Sequence, residues 1–372
     1  MAAGFKTATV NASDVAATLT DYPTYVDLSR LGITTLAEAQ SVRVYADSGK
    51  TTEWAREIVS VTEMHVKIPS LTTTTDIYVD WDGVRSDYAV TATYGRNAVW
   101  TEYEAVWHFE GAVGTSEKIQ DSTGNGNTAG ENNSPTSTAG KLGGANGGYD
   151  LTGLAGSTSS TTLYDWITLG TFYTKIGSNL ATVSCWVNLD IQSTVGYSLM
   201  NEEQNTVFGR PNFGMSIDTS NQARFRYATT TSAATNASSP NSSSFSLNTW
   251  THIVGRREAA ATSITVDGTR SSTTQNTVGS FPVGNNSMFL NRRYNSNYSS
   301  AQRYIDGQFD EARLATKDLG TDWVTTEHNN QNDEASFWGT WTDAGGGSDS
   351  SIKSIDGVLK ADIASFNGVT LL

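Results

Sequence analysis

Short runs in which apolar and polar residues alternate recur along this 372-residue chain, and most are closed by Gly, Asn or Asp. A run of that kind folds as a strand with one buried face, so the chain is confined to sheets that must cover one another. In the first quarter, residues 22–28, 41–46, 64–68 and 76–81 carry the alternation, separated by turn signals at Asp47, Pro69 and Asp82. From about residue 99 the runs continue with longer loops: 105–109, 166–169, 181–188, 213–217, 223–227, 249–254, 263–266, 288–290 and 305–314. Asp267-Gly268 reads as a hairpin turn. Helix is expected as a single turn over 36–40 and once more near 321–328, with a hydroxyl or carboxylate cap ahead of Trp323.

Composition narrows the partners. Lys plus Arg number 24 against 38 Asp plus Glu, a formal charge of −14, so no broad basic face exists for nucleic acid. No segment is long and apolar enough to cross a bilayer as a helix. The lone cysteine, Cys185, excludes an intrachain disulfide or a cysteine zinc site and reads as a small buried hydrophobe. Met1 is followed by no apolar run of leader length, which fits a virion protein, or a secreted one lacking its leader.

Three segments follow: 1–98 as a small β-sandwich, 99–340 as a larger sandwich, and 341–372 as a glycine linker and tail. In the tail, residues 352–358 are echoed by 363–369, placing Ile352, Ile355 and Val358 in step with Ile363, Phe366 and Val369. Two such copies are too few for an independent solenoid, so the tail is expected to dock on a body, a neighbouring subunit or a partner.

The pieces 107–111, 121–127, 181–187, 247–254 with 264–268, and 304–314 fall in an order that resembles a laminin-G-like, concanavalin A-like jelly roll. Residues 1–98 together with 326–338 resemble a bacterial surface domain of unknown function that often precedes such a jelly roll. The tail is similar to endings of phage and surface structural proteins. The fold implied is all-β: a small sandwich, a jelly roll and a short β-rich tail.

The jelly-roll resemblance also implies a structural Ca²⁺ joining the first and last strands, with Asp310 as carboxylate ligand and help from Glu110, Gly111 or the Asp121 loop, including Asn125. The alternating oxygen donors of that loop suit calcium, although Asn132 at the twelfth position excludes an EF-hand. The alternative for the loop is a network of Asx turns without an ion.

No catalytic constellation is legible. Glucanases of this fold carry Glu-x-Asp-x-x-Glu on one strand face, and that spacing is missing here. Glu102 with Glu104, and Glu202 with Glu203, read as solvated pairs. Asp310 and Glu311 are adjacent on a strand and should point to opposite faces. His65, His108, His252 and His328 are dispersed without ligand spacing.

The loop 291–304 offers Arg292, Arg293, Tyr294, Tyr298, Arg303 and Tyr304, residue types that stack on sugar rings, anchor protein contacts or merely solvate a loop. The expected function is a non-catalytic structural surface protein, foremost a phage virion decoration or tail appendage with weak glycan binding. It would be particle-docked or oligomeric with other virion or surface proteins. The alternative is a secreted or cell-surface carbohydrate-binding module, and a lesser one a glycan-cleaving enzyme.

Overall fold

A computed structural model describes residues 3–151, 165–176, 180–192, 197–202, 213–228, 236–238, 241–259, 261–271, 287–291 and 305–345, with four paired dipeptides beyond them. The first body holds β1 (Gly4–Thr9), β2 (Leu19–Asp27), β3 (Arg43–Tyr45), β4 (Glu53–Trp54), β5 (Arg56–Ile58), β6 (Glu63–Leu71) and β7 (Asp76–Trp81). One sheet runs β2-β6-β5; β1-β7-β3-β4 forms the other. Alternation decides the faces of β6: Met64, Val66 and Ile68 enter the core, leaving Glu63, His65 and Lys67 on the opposite side. The single turn α1 (Leu36–Gln40) starts on a capping box between Thr35 and Glu38.

The second body is a two-sheet sandwich. Its strands are β8 (Ala105–Trp107), β9 (Gly130–Asn132), β10 (Thr136–Thr138), β11 (Gly148–Leu151), β12 (Trp166–Gly170), β13 (Ala181–Leu189), β14 (Tyr197–Glu202), β15 (Phe213–Ile217), β16 (Ala223–Ala228), β17 (Asn236–Ser238), β18 (Trp250–Arg257), β19 (Thr262–Val266), β20 (Thr269–Arg270), β21 (Met288–Leu290) and β22 (Gly307–Ala315). The outer sheet is β10-β11-β22-β13-β18-β19-β20 with β8 on β22, and the inner sheet is β17-β16-β15-β14-β21-β12-β9. Trp107, Phe109, Val183, Cys185, Phe225 and Phe309 are among the side chains that fill the space between them. Asp267 and Gly268 both take positive φ, 46° and 69°, and close the β19–β20 hairpin as the sequence predicts.

The chain then returns to the first body. Helices α2 (Tyr173–Ile176), α3 (Thr321–Asn332) and α4 (Glu334–Trp338) are short, and the last two pack on β2. Asn330 clamps the backbone of Tyr25, accepting its N–H at 2.7 Å and donating to its carbonyl at 3.0 Å. Trp323, Phe337, Trp338 and Trp341 belong to the first core, and β23 (Thr342–Asp343) pairs with β1 as an edge strand. A boundary at 340 thus parts from the packing, which joins 321–344 to the first body. The predicted side-chain cap of α3 is also replaced: Gly320 occupies the cap position without one.

Beyond the glycine linker, β24 (Ser354–Ile355) pairs with β25 (Val358–Leu359), and β26 (Ser365–Phe366) with β27 (Val369–Thr370). Each pair brackets one copy of the repeat. Ile352 and Ile363 lie outside the described residues, as do the side chains of Ile355, Val358, Phe366 and Val369.

Candidate functional site

Two places concentrate polar side chains: an open groove on the sandwich, and a buried seam between the two bodies. The groove, about 740 Å³, lies between the 241–246 loop and the β19–β20 hairpin. Its walls are fixed by hydrogen bonds. Asn241 accepts from Arg224 Nε at 2.7 Å and donates to Asp218 and Gln222 at 2.8 and 2.9 Å. Arg270 is held by both Glu258 oxygens at 2.7 and 2.8 Å. Phe245 packs partly on the core, and hydroxyls of Ser243, Thr249 and Thr269 line the opening. Asp267 is the single carboxylate among the described lining residues, and one of its oxygens accepts the His252 N–H at 2.9 Å.

At the seam, the charged face of β6 meets the outer face of β8 and β22. Glu311 sits in a β-bulge with φ of 52°, where the register of β22 against β13 shifts. The extra residue corrects the expectation for Asp310 and Glu311. Phe309 and Ala312 point into the sandwich core, and the Glu311 carboxylate lies on the outer face at the seam, against His108 and Arg313 of its own body. His65 Nε2 lies 2.9 Å from Glu63 Oε1, and His108 Nδ1 lies 2.5 Å from Glu311 Oε1 and 3.4 Å from Glu63 Oε1. The second His108 nitrogen is 3.2 Å from Glu57, which also accepts from Trp100 Nε1 at 2.5 Å and Ser122 Oγ at 2.6 Å. Arg313 ties Glu311 to Glu327 and lies 4.9 Å from the Trp100 ring centroid.

Burial and charge set the proton affinities here. Burial pushes Glu63 up to about 8, with His108 opposing and Glu311 adding to the shift. Burial holds His65 well below the usual imidazole value, and the neighbouring His108 lowers it further. Burial also disfavours charge on His108, but Glu311 and Glu57 outweigh it and hold that imidazole well above its usual value. A cleft of about 180 Å³, lined in part by Arg56, Tyr88, Glu57, His108 and Glu110, leads into this region.

The residues expected to bind calcium divide between two places. Asp121 spends its oxygens on Val106, Thr123 and Asn127 donors at 2.8–3.2 Å, and Asn125 donates to the Glu104 carbonyl at 3.0 Å. That is a network of Asx turns with its acceptors already engaged. Glu110 and Asp310 lie instead against the glycine loop 140–147: Asp310 accepts from Leu142 N at 3.0 Å, and a Cβ on Gly143 would fall 3.1 Å from Glu110. The Gly111 carbonyl accepts from Ser137 at 3.2 Å. Here the carbonyls of Phe109, Asn146 and Gly148 converge on the Lys118 ammonium at 2.5, 2.8 and 2.6 Å. A lysine therefore fills the cradle of oxygens that calcium would need, and the five residues do not fit one calcium site.

Arg292, Arg293, Tyr294, Tyr298, Arg303 and Tyr304 lie outside the described residues. Sequence spacing missed the meeting of His65 with His108, although Glu63 and His65, two apart on β6, share a strand face.

Residues 159–325 match the family model described as the concanavalin A-like lectin/glucanases superfamily. A search of the curated proteins finds no match. Among solved structures the chain is similar to domain 4 of AbnA, an extracellular GH43 arabinanase from Geobacillus stearothermophilus, in complex with arabinotriose, at 18% identity and a TM-score of 0.44, over 60% of this chain and 97% of that one. It is also similar to the binding domain of botulinum neurotoxin DC in complex with rat synaptotagmin II, at 11% identity and a TM-score of 0.45, over 64% of this chain and 52% of that one. A third is the Trypanosoma rangeli sialidase in complex with 2,3-difluorosialic acid, at 13% identity and a TM-score of 0.42, over 62% of this chain and 33% of that one. The chain is nearly all β, and its C-terminal half carries a concanavalin A-like domain.

Proposed function

We propose that this chain is a non-catalytic surface protein that holds glycan in the groove between the 241–246 loop and the β19–β20 hairpin. The observation that carries the reading is the groove's make-up: fixed amides and guanidinium, several hydroxyls and one aromatic ring around about 740 Å³. That size suits a short saccharide, and such groups exchange hydrogen bonds with sugar hydroxyls while the ring covers an apolar sugar face. Glycosidic cleavage generally calls on two carboxyl groups flanking the bond, and Asp267 alone lines the groove among the described residues. The favoured setting is the surface of a phage particle, with a cell envelope as the second; the two C-terminal hairpins would supply the docking element.

A glycan array with the full chain, followed by calorimetry on the best binder, tests the groove. Thr249 is exposed, so Thr249→Trp should block the groove with the fold intact, weakening binding at least about tenfold, or about 1.4 kcal/mol. Absence of any bound glycan, or unchanged affinity in that variant, would refute the reading. Electron microscopy of the source particles tests the setting: ordered copies on a capsid or tail support it, and recovery solely from the cell envelope or medium rejects it.

A further inference from the structure

We propose that Glu63, His65, His108 and Glu311 bind one divalent transition-metal ion of the zinc type, which ties the jelly roll to the first body. One ligand atom from each residue lies within 4.8 Å of the other three, and the closest approaches are 2.5, 2.9 and 3.4 Å. Around a tetrahedral ion with bonds of about 2.1 Å, neighbouring ligand atoms stand roughly 3.4 Å apart, so side-chain adjustments of less than an ångström or so would close the shell. Two imidazole nitrogens with two carboxylate oxygens suit zinc, whereas calcium and magnesium prefer oxygen donors throughout.

The surroundings are those of a built site. All four side chains are at least 95% buried. The His108 nitrogen facing away from Glu311 meets Glu57, the carboxylate–histidine relay that orients metal-bound imidazoles, and Trp100 and Ser122 fix Glu57 in turn. Arg313 holds the second oxygen of Glu311.

Charge points the same way. Four buried carboxylates share one guanidinium and one imidazole, Glu311 and Glu327 meeting Arg313, and Glu57, Glu63 and Glu311 meeting His108. A divalent ion would add positive charge where carboxylates outnumber their cationic partners. The cleft reaches the cluster at its Glu57 and His108 edge. Two ligands come from β6 and two from the jelly roll, so the ion would link the bodies at their seam.

The test uses the full chain, stripped with chelator and dialysed, then titrated with Zn²⁺ alone and, separately, Ca²⁺ alone. Expected are one Zn²⁺ per chain, a melting temperature raised by about 4 °C at a hundredfold excess over Kd, and no response to Ca²⁺. Co²⁺ should give the intense visible absorption of a tetrahedral site, and His108→Gln should abolish it with at least a tenfold loss of Zn²⁺ affinity. If His108→Gln does not fold, the wild-type titration decides alone. No bound Zn²⁺ and an unmoved melting temperature overturn the proposal, as does an equal response to Ca²⁺ or an unchanged Co²⁺ spectrum in a folded His108→Gln chain.

Discussion

Lys118 is fully buried, with its ammonium shared among three backbone carbonyls and placed 4.6 Å from the Tyr149 ring centroid. Replacing it by methionine keeps the bulk, but strips the donors from those carbonyls and leaves Glu110 and Asp310 without their nearby cation. Lys118→Met should cost about 3–5 kcal/mol in urea unfolding, and a loss below about 1 kcal/mol would show that the carbonyls find other donors. Glu334 gives a pH signature. Burial raises it from 4.5 to about 7 even though Arg30 Nη1 stands 2.5 Å away. With the folded value above the unfolded one, the folded chain keeps a proton that the unfolded chain releases between pH 4.5 and about 7. The contribution of Glu334 to stability is therefore complete below that window and falls as pH rises through it, by up to about 3 kcal/mol. Glu334→Gln should flatten this slope in unfolding measured across the window; a slope equal to that of the unaltered chain would place the effect elsewhere.

Among elements, β18 shows how closely the two sheets approach. A Cβ on Gly255 would lie 2.3 Å from the Phe225 ring and 3.1 Å from Met215. Gly255→Ala should therefore lower stability by about 1–3 kcal/mol through overpacking, read as a lower melting temperature with unchanged far-ultraviolet circular dichroism. Period-two alternation made strands such as β6, β13 and β18 legible, because one apolar face opposite a polar one leaves that trace even where both faces are buried. It was weak in β1, where Phe5 and Ala8 are the apolar residues among Lys and Thr, and that strand is set by pairing with β7. The bulge at Glu311 was illegible for another reason. A glutamate at positive φ has no sequence signal, since the register mismatch with β13 is what holds it there.

Across the whole molecule, the seam was the least legible feature. His65 and His108 belong to different bodies, and only the docking of β6 on the outer sheet brings their rings to 4.7 Å. No local spacing encodes that contact. The return of 321–344 to the first body was partly legible, since 326–338 shared a resemblance with 1–98. The tryptophans of that segment make it integral to the first core. A chain ending at residue 320 should lose the cooperative unfolding of the first body while the jelly roll still melts, as followed by hydrogen exchange on β2 and β6; retained protection there would show that the first body closes without the segment. The same closure has a consequence for biosynthesis. Because β1 waits for its edge partner at residues 342–343, a chain emerging from the ribosome must complete the entire jelly roll before its first segment can finish folding. Throughout that interval the core under β2 and β6 lacks four aromatic residues, and a chaperone that shelters the nascent N-terminal sheets would raise yield more than one acting after release.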